Sequence, residues 1–189
     1  IGMDVTVIEM GEQILAPVDF PIAALAQQHL RSKGVDLKLN TTVSGFEQNG
    51  RGLNVLLKNG DVLAADVVIL SIGVRPDTRL AEQAGLKLGS AKGIYVNEFL
   101  QTSDPDIYAV GDAIEFANPI TGQAMNTYLA GPANKQGRIC ANNIVLGNTH
   151  KYNGAINTAI VKLFDMTIAT AGMASKHLKR ANIDHLVST

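Results

Sequence analysis

Cysteine is almost missing from these 189 residues. Cys140 stands alone, which excludes an intrachain disulfide framework and any dithiol active site within the chain. Histidine is nearly as sparse: His29, His150, His177 and His185 are scattered, none at metal-ligand spacing from another or from Cys140, so no metal is expected. An excess of one charge is lacking too. Sixteen basic residues nearly balance 17 acidic ones, which sets nucleic acid and anionic bilayers aside as partners. The longest apolar run, Val67 to Leu70 and on to Val74, is broken by Ser71 and Gly73. It falls far short of the roughly 20 residues that a membrane-spanning helix needs. What remains is 46% hydrophobic and 17% charged, a composition for a soluble chain with one good core or two small ones.

Along the chain, VTVIE at residues 5–9 reads as a buried strand ending in an acid. Asp19 as N-cap and Pro21 in the first turn open a helix that runs to Lys33, with Gly34 at C′. VDLKLN, TTVSGFEQ, LNVLLK and VLAADVVILSIG then predict a strand, an antiparallel meander and a return strand. The breaks between them, Asn49-Gly50-Arg51-Gly52 and Asn59-Gly60-Asp61, are of the Asn-Gly hairpin type. VRPDTRLAEQAG predicts a short helix capped by Asp77 or Thr78, and residues 94–96 a short extended stretch. IYAVGD, residues 107–112, reads as a further buried strand. A helix is expected from near Pro132 to Gly147, with a mostly small face of Ala133, Gly137, Cys140 and Ile144 suited to close approach of another backbone. From Tyr152 the pattern changes to two strand-like runs and then to ASKHLKRANI.

Two carboxylates close predicted strands. In a dinucleotide-binding βαβ unit the acid ending the second strand binds ribose hydroxyls, and a glycine-rich phosphate loop precedes it by roughly 20 residues. Glu9 occupies such a strand end with only eight residues before it. On that reading the loop lies ahead of Ile1, and the chain is a fragment or processed product. The strand end alone fits an ordinary solvated glutamate equally well. As a ribose ligand, Glu9 would accept from free 2′ and 3′ hydroxyls and repel a 2′-phosphate. Met10, Gly11 and Glu12 supply no cation, so NADH is expected over NADPH. Asp112, directly after Gly111, suits a polyol chain at the mouth of a sheet. The helix start near Pro132 would offer free N–H groups and a positive dipole end to the N1 and C2 oxygen region of a reduced flavin. Taken singly, Asp112 also reads as an Asx-turn or cap, and the helix as an ordinary packed element.

Together these stretches resemble a known family. TSDPDIYAVGDA (102–113) resembles the second flavin motif of the FAD-dependent pyridine nucleotide-disulphide oxidoreductases, and ADVVILSIGVRPDT (65–78) the motif with which their NAD domain returns to the FAD domain. YLAGPANKQGR (128–138) is similar to the branch of coenzyme A disulfide reductases, NADH-dependent persulfide reductases, NADH oxidases and NADH peroxidases. AIVKLFDMTIATAG (159–172) resembles the start of that branch's dimerisation domain.

The resemblance implies an α/β fold in three parts: residues 1–75 as the C-terminal part of a Rossmann-like NAD domain with β-meander, 76–149 as the second segment of an FAD domain, and 150–189 as the start of an α+β dimerisation domain. By it, Asp112 after Gly111 would hold the flavin ribitol, and Leu129, Ala130, Gly131 and Ala133 would line the pyrimidine side of the ring. Glu9 would hold the adenine ribose of NADH, with Ile72 and Gly73 close to the nicotinamide half. The family's glycine-rich FAD loop and redox-active cysteine find no match. Cys140 cannot replace the latter, because it lies about two turns inside the flavin-motif helix; it reads as a packing residue. No catalytic residue is therefore expected here. The whole protein would be a cytoplasmic homodimer passing electrons from NADH through FAD to a cysteine and then to a small disulfide or persulfide of coenzyme A type. The alternatives are an NADH oxidase or peroxidase, a flavin reductase of a protein carrier such as a ferredoxin, or a non-catalytic nucleotide-binding or assembly module. Alone, the chain would be inactive and would self-associate through uncovered edges and apolar faces.

Overall fold

A parallel strand pair needs a crossover between its members, and the first 38 residues supply one. The computed structural model describes residues 2–188; Ile1 and Thr189, the outer limits of the first and last expected domains, lie outside the described residues. Strand β1 (Thr6–Ile8) pairs in parallel with β2 (Asp36–Lys38), Val7 opposite Leu37, across helix α1 (Phe20–Ser32). The helix buries Ala23 and Ala26 completely, and Ala26 packs with Ile14 and Leu37 in a small core. Gln27, also buried, accepts the Ile14 N–H at 3.1 Å and so ties the loop before α1 to the helix. Gly34 ends α1 at φ +85°, as a C′ glycine does. This βαβ unit is the Rossmann-like part of the fold.

The antiparallel meander follows as β3 (Val43–Asn49), β4 (Gly52–Leu57) and β5 (Val62–Ala65), in that spatial order. Asn49 pairs with Gly52, so the first loop is Gly50-Arg51, with the glycine at φ +59° in the first central position. That is the arrangement of a II′ turn and not the Asn-Gly turn expected. The return strand is shorter than VLAADVVILSIG suggests. Beyond Ala65 no ladder forms among the described residues, and Val67, Ile69, Leu70, Ile72 and Val74 are all more than 60% exposed. Apolar sequence supplies a strand's side chains, but a ladder also needs a neighbouring strand for its backbone groups.

Residues 73–159 and 169–173 form a second unit. Its short helix α2 (Arg79–Gln83) has Thr78 at the N-cap, but Thr78 Oγ1 donates to Glu82 and the Asp77 carboxylate grips the Arg79 guanidinium. Strand β6 (Ile94–Tyr95) runs parallel to β7 (Ile114–Ala117), which pairs antiparallel with β8 (Ala124–Met125). The core is Val96, Leu100, Ile114, Phe116 and Tyr152, the last two rings meeting edge to face at 5.3 Å. The buried strand expected at 107–112 is not formed: Tyr108 makes a single bridge to Gln101, again for want of a neighbouring strand among the described residues.

Helix α3 (Ala130–Leu146) starts two residues earlier than Pro132 suggests, and Gly147 ends it at φ +79°. Its buried face is Gln136 and Asn143, with Ile139 and Cys140 against the core. The small face is only partly packed: Cys140 meets the core, and the rest does not serve the close approach expected. A Cβ on Gly137 would meet no atom within 4 Å and Ile144 is 60% exposed, so among the described residues no backbone packs against these two positions.

The chain closes with a hairpin, β9 (Ala159–Leu163) and β10 (Met166–Thr170), and helix α4 (Ser175–Arg180). Residues 160–168 and the described part of Ala174–Thr189 belong to the first unit, with the meander and the βαβ element. Asp165 at the hairpin tip meets His29 at 3.0 Å and Lys33 at 2.9 Å on α1. Asp19 accepts from the amides of Ser175 (2.8 Å) and Lys176 (3.1 Å) at the start of α4. Among the described residues no helix is long and apolar enough to cross a membrane.

Candidate functional site

The chain changes direction at Gly111. Its φ of +83° lies in the left-handed region that glycine enters without a Cβ clash. A 3-10 turn, Gly111–Ala113, follows the extended Val110, and Ile114, Glu115 and Phe116 then enter the core. Asp112 is left on the exposed side of this turn. The turn is fixed from below: the Gly111 N–H donates to Gln136 Oε1 of α3 at 2.7 Å, and Gln136 is 0% exposed.

Helix α3 packs against the turn. Leu129, half-buried and extended, precedes Ala130, and no side chain caps the first turn. Pro132 has no N–H, so the amides of Ala130 and Gly131 and the positive end of the helix remain uncapped by side chains. Ala130, Ala133, Asn134, Gly137 and Arg138 line an open groove of about 500 Å³ along this part of the helix. A Cβ on Gly131 would likewise meet nothing within 4 Å, so the backbone is open to close approach. Five of the residues singled out in sequence for a flavin, Asp112, Leu129, Ala130, Gly131 and Ala133, thus fall on two elements that pack together, with Gly111 at their junction.

Gln136 itself was not singled out in the sequence. Its Nε2 and the hydroxyl of Tyr152 are both buried without a hydrogen-bond partner among the described residues. Burial pushes the Tyr152 phenol above its ordinary value, and the neighbouring Gln136 side chain opposes that rise. The one available signal was spacing. Gln136 and Asn143 are seven residues apart, on one helix face, with Ile139 and Cys140 between them. Burial also pushes the Cys140 thiol up, the opposite of what a reactive thiolate needs.

The second expected group lies in the other unit. Glu9 follows β1 and extends its pairing, donating N–H to Lys38 O at 2.9 Å and accepting from Thr41 N at 3.0 Å through its carbonyl. Its half-buried carboxylate accepts the Gly11 N–H at 2.7 Å through Oε1. A Cβ on residue 11 would stand only 3.2 Å from that oxygen, so the contact suits glycine. Met10, beside it, is 72% exposed. Ile72 and Gly73 stand beyond the end of β5, Ile72 88% exposed and Gly73 at φ +95°. Among the described residues no group of three or more His, Cys, Asp or Glu could hold a metal ion.

Residues 1–137 match the family described as pyridine nucleotide-disulphide oxidoreductase. The chain belongs to this family. It is 35% identical over 185 residues to an NADH oxidase of Methanocaldococcus jannaschii, covering 96% of this chain and 41% of that protein. It is 32% identical to an NAD(P)H coenzyme A polysulfide/persulfide reductase of Pyrococcus horikoshii, covering 97% of this chain and 41% of that one. Among solved structures, reduced CoADR-RHD of Bacillus anthracis superimposes with a TM-score of 0.91 at 44% identity, over 97% of this chain and 32% of that one. The chain spans about two fifths of the length of these curated relatives.

Proposed function

We propose that this chain is the part of an NADH-dependent FAD oxidoreductase that completes its NAD site and supplies the ribityl and ring-facing half of its FAD site. The domain limits proposed are 1–75 for NAD binding, 76–149 for the second FAD segment and 150–189 for the start of dimerisation. One observation carries the reading: the exposed Asp112 carboxylate stands on a turn bonded to α3, whose first turn no side chain caps. The residues fit the group. A carboxylate accepts from ribityl hydroxyls, the uncapped amides and positive helix end favour negative charge on the ring, and the open glycine face admits a bulky group.

In this reading Asp112 holds the ribityl chain and Leu129, Ala130, Gly131 and Ala133 line the pyrimidine side. FAD, when bound, supplies the two-electron chemistry that connects NADH to the final acceptor. Glu9 accepts from the adenine ribose of NADH, held in place by the Gly11 amide, and Ile72 and Gly73 adjoin the nicotinamide half. Because the Glu9 carboxylate repels a 2′-phosphate, NADH is the preferred donor. The acceptor is a small disulfide or persulfide of coenzyme A type, in keeping with the likeness to a coenzyme A persulfide reductase. The likeness to an NADH oxidase supports dioxygen as a second reading. The working form is a cytoplasmic homodimer.

The test uses the complete gene product. It should purify yellow, and Asp112→Ala should weaken FAD binding about tenfold or more, the loss of charge-assisted hydrogen bonds. A colourless protein whose FAD affinity is indifferent to residue 112 refutes the reading. Competing coenzyme A disulfide, persulfide, peroxide and oxygen against the NADH-reduced enzyme then separates the acceptors. The 189-residue chain, given FAD and NADH, should show no steady NADH consumption.

A further inference from the structure

We propose that Gln136 is a positioning residue for the flavin-binding turn. Through its bond to Gly111 it fixes Asp112 against α3, so that the carboxylate and the helix start form one rigid body. The proposal rests on the FAD reading above and adds a residue that needs no contact with the cofactor.

The geometry is specific. Gln136 is the seventh residue of α3, wholly buried, and its Oε1 takes the Gly111 N–H at 2.7 Å, short for an amide pair, whose usual distance is about 2.9–3.0 Å. Gly111 is where the chain turns at φ +83°, and Asp112 is the next residue, so the bond holds the pivot of the carboxylate. Asn143, two turns further along the same face and 1% exposed, anchors the other half of the helix. It donates to Phe99 O (2.9 Å) and His150 O (2.8 Å) and accepts from Thr149 N (3.1 Å) and His150 N (2.8 Å). Asn143 therefore uses all its polar capacity, whereas Gln136 has a buried Nε2 without a partner among the described residues. Burying an unpaired amide is costly. A leucine of similar size would avoid that cost and would pack beside Ile139 and Cys140, but it could not accept from Gly111. The polar use that Gln136 finds here is as that acceptor.

Three variants test this: Gln136→Leu, which removes the acceptor; Gln136→Glu, whose carboxyl oxygen keeps it; and Asp112→Ala. Exchange of the Gly111 amide proton is read in the 189-residue chain without FAD, and FAD affinity in the complete gene product. Gln136→Leu should speed Gly111 exchange and weaken FAD about tenfold, the scale of one lost hydrogen bond. Gln136→Glu, read near pH 5, where burial favours the protonated carboxyl, should stay within about threefold of the parent in both. Because Gln136 acts through the Asp112 turn, the double variant Gln136→Leu/Asp112→Ala should bind FAD no more weakly than Asp112→Ala alone. Equal losses from leucine and glutamate, additive losses in the double variant, or a flavin-binding parent indifferent to residue 136 would each overturn the proposal. Should the leucine variant not fold, Gln136→Met, which likewise offers Gly111 no oxygen acceptor, is read instead, and Gly111 exchange and FAD affinity within about threefold of the parent overturn the proposal just as well. Failure of the FAD reading shows separately, as a parent protein that takes up no flavin.

Discussion

Replacing Asp19 by alanine should unfasten a helix 156 residues away in sequence and leave the adjacent one in place. In sequence Asp19 reads as the N-cap of α1, and its backbone carbonyl does accept from Ile22 and Ala23. Its side chain makes no bond to α1; it accepts instead from Ser175 N at 2.8 Å and Lys176 N at 3.1 Å, capping α4. A six-residue helix is far too short to persist without tertiary anchors. Loss of a cap costs about 0.5–2 kcal/mol, and two amides are affected, so the upper half of that range applies: about 1–2 kcal/mol, a 5- to 30-fold faster opening. Hydrogen exchange of residues 177–181 should rise by that factor in Asp19→Ala, while residues 20–24 and 88–93 keep their protection. The effect carries a pH signature. Burial works against the charge of Asp19, but the amides of Lys176 and Ser175 and the charges of Lys176 and His177 outweigh it and hold the carboxyl below its ordinary value of 3.8. A depressed acid stabilises the fold above its unfolded value and loses that contribution as pH falls through the lower folded one. The difference between parent and variant should thus be full near pH 6 and vanish as pH drops below that lowered value. Loss of protection in residues 20–24 with α4 unchanged would refute the reasoning, since it would make Asp19 an ordinary cap of α1.

Other outcomes follow from single contacts. A methyl group at Gly89 would land on Glu115 Oε1, whose buried carboxylate accepts from Ser90 N at 3.0 Å and from Ala91 N. Gly89→Ala should therefore cost about 2–4 kcal/mol in urea unfolding monitored through the tyrosine near-ultraviolet signal; an unchanged midpoint would show that the loop can shift freely. Glu9→Ala in the complete gene product should raise the KM for NADH about tenfold and narrow the NADH-to-NADPH ratio of kcat/KM. A fixed ratio would mean that Glu9 does not read the ribose. The exposed run Val67, Ile69, Leu70, Ile72 and Val74 should make the 189-residue chain self-associate in light scattering, and Ile69→Asp with Ile72→Asp should reduce the association. A sharp monomer peak from the parent chain would refute this.

Elements whose hydrogen bonds are local or whose partners follow closely were legible in the sequence. The helix from Asp19 to Gly34, the meander with its two glycine turns and the long helix ending at Gly147 are all marked by glycines in the left-handed region at or within a few positions of their ends. The stretches at 67–73 and 107–112 read as strands because their side chains are apolar, yet neither joins a ladder. Hydrophobic pattern reports which residues avoid water; whether a backbone finds a second strand depends on another part of the sheet, about which the pattern is silent. The candidate site divides the same way. Gly111 and Asp112 were legible because a glycine followed directly by an acid after an apolar run marks a turn that exposes a carboxylate.

Gln136 and Asn143 were illegible for a reason that bears on how the site is built. Amide side chains on a helix are ordinarily read as solvent-facing, and in ANKQGRICANN only the seven-residue spacing of Gln136 and Asn143 sets the two buried amides apart from the exposed ones. Apolar burial is non-directional, so the packing of Ile139 and Cys140 against the core does not by itself specify the register of α3 as sharply as hydrogen bonds do. Hydrogen bonds have direction and fixed length, so an amide at each end of the buried face sets the helix in register: Asn143 against residues 99, 149 and 150, and Gln136 against 111. A site that must present a carboxylate and a helix end in a set relation requires this kind of fastening. The polar residues hidden under α3 therefore determine where Asp112 stands, although the exposed residues of the turn and the helix start are the ones that the sequence advertises.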